Sequence, residues 1–259
     1  MTARPAAVAG TFYPADRATL ERTVLKLLDA APPGDSDAKA IIAPHAGYPY
    51  SGPTAAHAYR MLEARRERIR RVVLLGPAHR VYLHGMALPS VDAFATPLGD
   101  VPVDQKGVEQ ALAQPGTQVS DEAHAAEHSL EVHLPFLQTV LDDFKLVPIV
   151  VGVCPARDVE AVIDALWGED ETVIIVSSDL SHFHAYADAR AIDARTTARI
   201  EARETTLQGE EACGAYALNG LLLAAQAHGL RVRTLDVRNS GDTAGDRQRV
   251  VGYGSYALA

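Results

Sequence analysis

Short apolar runs rich in β-branched residues alternate along this chain with stretches whose apolar positions recur every three to four residues. That alternation predicts a largely parallel sheet, buried on both faces and covered by helices. The runs are 38–43 (AKAIIA), 72–75 (VVLL), 86–91, 145–153 (KLVPIVVGV), 172–177 (TVIIVS), 231–237 and 249–257. Pro148 lies inside 145–153 and cannot donate to a strand ladder, which predicts an edge position or a bulge there. Helical periodicity covers 16–28, with Leu20, Val24, Leu27 and Leu28 on one face, and then 51–62, 104–112, 128–141, 156–167, 186–202 and 210–227. No repeat, low-complexity linker or shift in charge divides the 259 residues, so one α/β domain over 1–259 is expected.

Composition narrows the partners. A net charge of −9 disfavours nucleic acid and anionic membrane, because an acidic surface repels both. No apolar run reaches the length of a membrane span, and Pro5, Gly10 and Pro14 interrupt the opening segment where a secretory signal needs a continuous apolar stretch. A cytoplasmic location is the expectation. Cys154 and Cys213 are too few and too far apart for a disulfide framework or a paired-cysteine metal knuckle. Cys213 falls in the stretch read as helical and is expected to be a core thiol.

Four apolar runs pass straight into polar or Gly-rich loops: IIAPHAGY, VVLLGPAHR, VIIVSSDLSHFH and TLDVRNSGD. Ligands of open parallel sheets bind at the carboxyl ends of the strands, where loops diverge toward helices on opposite faces. These loops carry His45, His79, Asp179 with His182, and Asp242, the residue types that bind metals or move protons. A fifth segment, AEHSLEVHLPF, adds Glu127, His128, Glu131 and His133. Two readings of it stand side by side. One is a hydrated helix start; the other is a pocket wall, or an acceptor that orients His45 or His79. Tyr48 follows His45 closely and is a further candidate for lining a pocket. The motifs of zinc proteases, serine hydrolases, P-loop NTPases and dinucleotide-binding folds are absent.

The blocks PHAGYPYSGPTAAHAY, LLGPAHR, EHSLEVHLPF, VSSDLSHF and NSGD, in that order and after the opening AVAGTFYP, resemble the Memo family. Its bacterial and archaeal members are called AmmeMemoRadiSam system protein B. The resemblance spans nearly the whole chain. It implies a single three-layer domain, a central mixed and mostly parallel sheet flanked by helices, similar to class III extradiol ring-cleavage dioxygenases.

What the resemblance implies about chemistry follows from those dioxygenases, which hold non-haem Fe(II). His45 and His79 would be metal ligands, His182 the acid/base, and Asp179 its neighbour. In the eukaryotic branch a Cys completes the site; an ungapped match places Thr243 there, beside Asp242. Asp242 is the expected third ligand, since two imidazoles and one carboxylate suit Fe(II), with Cu or Zn as other ions. The function implied is an iron-dependent, extradiol dioxygenase-like oxidoreductase acting on a small molecule. A peptide- or partner-binding module with a vestigial metal pocket is the second reading. A metal-assisted hydrolase using Glu131 or His182 as base is the third. Radical-SAM and Ammecr-type proteins are the partners that the family name implies.

Overall fold

The computed structural model describes residues 2–34 and 37–259. Its strands are β1 (Ala3–Arg4), β2 (Ala40–Ala43), β3 (Arg71–Pro77), β4 (Met86–Leu88), β5 (Ala93–Thr96), β6 (Gly99–Pro102), β7 (Thr117–Val119), β8 (Lys145–Val151), β9 (Thr172–Ser177), β10 (His182–His184), β11 (Val232–Asn239) and β12 (Val250–Leu258). Its helices are α1 (Arg17–Ala30), α2 (Tyr48–Arg60), α3 (Gln105–Leu112), α4 (Asp121–Ala125), α5 (Leu134–Val140), α6 (Ala156–Ala165), α7 (Tyr186–Glu201) and α8 (Ala215–Ala227).

Among the described residues the main sheet runs β10-β12-β2-β9-β3-β8-β4-β7, with β11 also paired to β12. Its centre, β2-β9-β3-β8, is parallel throughout, and β12, β10 and β11 on one side pair antiparallel. Every residue of β2 and β9 is buried, as strands covered on both faces must be. Helices α1, α2 and α5 pack together, with α2 against β2, β11 and β12, while α6 and α8 pack together, with α8 against β3 and β9. The sheet is therefore the middle layer of three.

Local chemistry sets the helix ends. Asp16 accepts the Thr19 N–H at 2.8 Å and caps α1, whose buried face is Leu20, Val24 and Leu28. The expected helix over 128–141 is instead broken. A 3-10 turn spans Glu131–His133, and α5 begins at Leu134 with Pro135 in its first turn. Within one continuous helix Pro135 would have had to donate to the carbonyl four residues back, which it cannot do. The helix expected over 210–227 starts only at Ala215, leaving Cys213 in the turn before it. Pro148 is not on an edge strand: β8 lies between β3 and β4. However, β4 reaches only Val150 and Val151, so no β4 residue faces Pro148. A small sheet, β1-β5-β6, was not legible from its two- to four-residue strands.

Register aligns the carboxyl ends of the central strands. Ala43 of β2 lies opposite Ser177 of β9, and Leu75 of β3 lies opposite Val176. The loops carrying His45, His79 and Asp179 therefore leave the sheet side by side.

Candidate metal centre

Three imidazoles converge above this edge. One ring nitrogen from each of His45, His79 and His128 lies within 4.8 Å of the others. The ring centroids are 5.1 Å apart for His45 and His79, 5.5 Å for His45 and His128, and 4.8 Å for His79 and His128. The cluster is graded in depth: the side chains of His45, His128 and His79 are 2%, 14% and 29% exposed. His45 thus forms the floor and His79 the mouth.

Two of the rings are held from behind through Nδ1. Nδ1 of His45 lies 2.6 Å from Ser177 Oγ, at the end of β9. Nδ1 of His79 lies 2.9 Å from Glu127 Oε1, and the His79 backbone N–H donates to Oε2 at 2.6 Å. With Nδ1 engaged in both, Nε2 is the second ring nitrogen of each, and at His45 it lies 3.4 Å from Cys213 Sγ. Glu127 also accepts the N–H groups of His128 and Ser129, each at 2.9 Å. Burial pushes the Glu127 carboxyl up, but these bonds together outweigh it and bring its pKa down to about 2. His128 Nδ1 is buried 3.3 Å from Glu127 Oε1 with no hydrogen bond among the described residues, and Phe12 packs on the ring at 4.6 Å. Gly76 permits this arrangement, because a Cβ there would meet Leu130 and Ser129 side-chain atoms at 2.8 and 2.9 Å.

The electrostatics favour neutral rings at His45 and His128. Burial, then the charges of His79 and His128, holds His45 well below the ordinary imidazole range. Burial brings His128 down to about 4. A neutral imidazole keeps the lone pair that a cation needs. The donor set therefore fits a divalent or transition-metal ion.

Asp179 borders the cluster. Asp179 Oδ1 accepts the His45 N–H at 2.8 Å, and Oδ2 lies 4.0 Å from His45 Nε2. Burial pushes its carboxyl up to about 7, against the lowering effect of the His45 N–H. His182, half-buried at the start of β10, is close enough for its charge to be felt by His45 and to respond to His79. Burial lowers its pKa.

Several sequence expectations land elsewhere. Asp242 is not in the three-residue group; its carboxylate accepts from Tyr186 Oη and from the Asn239 N–H, closing a 3-10 turn over Ser240–Asp242. Thr243 turns its hydroxyl to the Ser240 carbonyl at 3.3 Å. The third nitrogen belongs to His128, expected only in the pocket wall. Glu131 is fully buried and spent on the N-terminal segment, accepting from Arg4, the Ala7 and Val8 N–H groups and Tyr13 Oη. It has no free oxygen with which to act as a base. Tyr48 opens α2 but points into the core, its hydroxyl donating to the Val132 carbonyl at 2.8 Å and its ring lying between Tyr13 and Phe136.

Two residues were missed as neighbours of the site. Ser177 read only as the end of a buried strand. Cys213 read as a core thiol, yet its Sγ is 3.4 Å from His45 Nε2 and 3.3 Å from the Asp179 N–H that donates to it. Gly214 brings it there, since a Cβ at that position would strike the Ser177 carbonyl at 2.6 Å. Burial, then the Asp179 charge, raises the Cys213 pKa, so it stays a thiol near neutral pH. No local pattern signals this approach across 168 residues of chain.

Comparison with known proteins supports the same grouping of residues into one fold. A family model described as Memo-like protein matches residues 4–257. A MEMO1 family protein of Aquifex aeolicus is 37% identical over 265 residues, spanning 98% of both chains. One from Methanothermobacter thermautotrophicus is 38% identical across 98% of this chain and 99% of its own. The crystal structure of an uncharacterized protein from Escherichia coli K12 superposes with a TM-score of 0.52 at 14% identity, covering 83% of this chain and 98% of that one. That likeness concerns the fold alone.

Proposed function

Because this chain belongs to the Memo family, we propose that it is a non-haem metalloprotein whose ion is held by His45, His79 and His128, and that with Fe(II) it oxidises small catechol-type molecules. One observation carries this reading: three imidazoles present nitrogens within 4.8 Å of one another at the carboxyl edge of a parallel sheet. A three-residue donor set leaves coordination positions open. Bound Fe(II) would supply those positions and the redox chemistry that ring cleavage requires.

The chain's own residues handle the protons. His182, whose imidazole burial keeps toward the neutral form, takes a substrate hydroxyl proton and returns it. Asp179, pushed up to about 7, holds or releases a proton beside His45 in the working pH range. The Glu127 carboxylate keeps His79 turned toward the cavity. Phe12 and the buried wall behind His45 keep water from that side of the pocket.

The test is anaerobic reconstitution with Fe(II), metal analysis, and dioxygen uptake with a varied panel of catechols. About one iron per chain, lost in His45→Ala and His79→Ala, together with uptake on some catechol, is the expected result. Iron without uptake across the panel would remove the oxidative chemistry but keep the metal site. A stable protein that takes up no metal would return the pocket to the peptide-binding role. The hydrolytic reading loses its carboxylate base, since every Glu131 oxygen is engaged elsewhere.

A further inference from the structure

Behind the floor of the pocket runs a chain of buried polar groups that no charge or solvent contact explains. Ser177 Oγ has three neighbours at hydrogen-bond distance: the Ser129 carbonyl at 2.7 Å, His45 Nδ1 at 2.6 Å and His133 Nε2 at 2.8 Å. His133 Nδ1 in turn meets the hydroxyl of Tyr59. Ser177, Tyr59 and His133 are each at most 1% exposed, so water cannot take over any of these bonds.

The proton positions follow from counting. A serine hydroxyl has one proton to give and two lone pairs to receive with. The Ser129 carbonyl can only accept, so the Ser177 proton must point at it. Both imidazoles must then donate to Ser177, His45 through Nδ1–H and His133 through Nε2–H. That leaves His133 Nδ1 as an acceptor, and Tyr59 donates to it. Every group in the chain is satisfied by this one assignment; reversing the Ser177 hydroxyl would set its lone pair against the Ser129 carbonyl oxygen.

We infer that Ser177 is a positioning residue that locks His45 in the form protonated at Nδ1, with Nε2 left unprotonated beside the Cys213 thiol, and that His133 and Tyr59 complete the lock. Metal ligands of this kind ordinarily rest on a carboxylate, a backbone carbonyl or a water; His79 does so on Glu127. His45 rests on a neutral serine, whose direction is imposed by a backbone carbonyl from the Ser129 turn. The same turn carries His128, so the backbone that brings the third imidazole to the cluster also sets the proton on the first. Register makes the meeting possible, because Ser177 stands opposite Ala43, two residues before His45.

This inference rests on the metal-site reading for its use, but the proton assignment can be tested without any metal. Long-range proton–nitrogen correlation spectra of protein carrying ¹⁵N-labelled histidine, with His45→Ala to assign the signal, read which His45 nitrogen holds the proton. Wild-type protein is expected to show Nδ1–H and a bare Nε2. Ser177→Ala is expected to lose that preference and to bind Zn(II) 10- to 100-fold more weakly, while Ser177→Thr, which keeps the hydroxyl, restores both. A wild-type His45 protonated at Nε2 overturns the assignment, whatever the variants do. Ser177→Ala with unchanged proton position and Zn(II) affinity overturns the lock. Wild-type protein with Nδ1–H but no Zn(II) uptake would sink the metal reading and leave the lock standing.

Discussion

His79 gives both its backbone N–H and its Nδ1 to the two oxygens of the Glu127 carboxylate, at 2.6 and 2.9 Å. The pair fixes ring and backbone together at the most exposed of the three imidazoles. Glu127→Gln removes the charge and one acceptor, and the amide nitrogen then opposes a donor. Metal affinity should fall 10- to 100-fold, as for other partners behind a ligand. Calorimetric Zn(II) titration beside a thermal melt distinguishes this from unfolding; unchanged affinity would deny Glu127 an orienting role.

The third ligand can be decided by substitution. His128→Ala should abolish stoichiometric metal uptake, as should His45→Ala and His79→Ala. Asp242→Ala and Thr243→Ala should leave uptake intact, because their side chains are committed to Tyr186, Asn239 and Ser240. Metal content by mass spectrometry after dialysis checks this. Loss of metal in Asp242→Ala with retention in His128→Ala would restore the carboxylate set.

Acid should destabilise the fold through buried neutral imidazoles. His124 is buried against Phe94, with Nε2 3.0 Å from the Ala87 carbonyl, and burial pushes its pKa down to about 4. Between the ordinary value of 6.5 and about 4, the unfolded chain binds a proton that the folded chain refuses. Stability is therefore complete above pH 6.5 and falls as pH drops toward 4, by up to about 1.4 kcal/mol per pH unit for this group. His128 and His133, held at about 4 and about 3 by burial, act in the same direction. His124→Gln, whose amide can still donate to Ala87, should flatten the slope by about one proton. Urea unfolding at pH 7, 6 and 5 measures it, and an unaltered slope would refute the assignment.

The N-terminal segment is anchored by a buried ion pair. Arg4 and Glu131 are 4% and 0% exposed, and Arg4 also donates to the His124 and Glu127 carbonyls at 2.7 and 2.6 Å. Arg4→Met leaves the Glu131 charge buried without its partner and should cost about 3–5 kcal/mol. Because Phe12 lies on His128 in the segment that Glu131 holds, metal affinity should weaken as well. Chemical denaturation with parallel Zn(II) titration tests both; a loss below 1 kcal/mol would mean that the charge is solvated.

Much of the scaffold was readable because burial writes itself into local pattern. Residues 172–177 had to be strand, since TVIIVS is apolar on both faces and β9 is covered on both. His45 and His79 were readable as site candidates for a related reason: each stands two residues past the end of a strand built on an apolar run, and strand ends are where a parallel sheet opens. His128 was read as part of a pocket wall; its place beside His45 and His79 depends on a broken helix and on bonds to Glu127 rather than on spacing. Asp242 looked right by residue type and loop position, yet Tyr186 and Asn239 claim it.

The primary structure settled which central segments are buried, which element most of them form and which polar groups stand at strand ends, because these depend on neighbours within a few residues. It left open which of the ten histidines meet. Whether Ser177 backs His45, or Cys213 reaches it, depends on strand order, register and the path of intervening loops. Those are fixed only by the sum of contacts between distant segments, so no short stretch of chain encodes them.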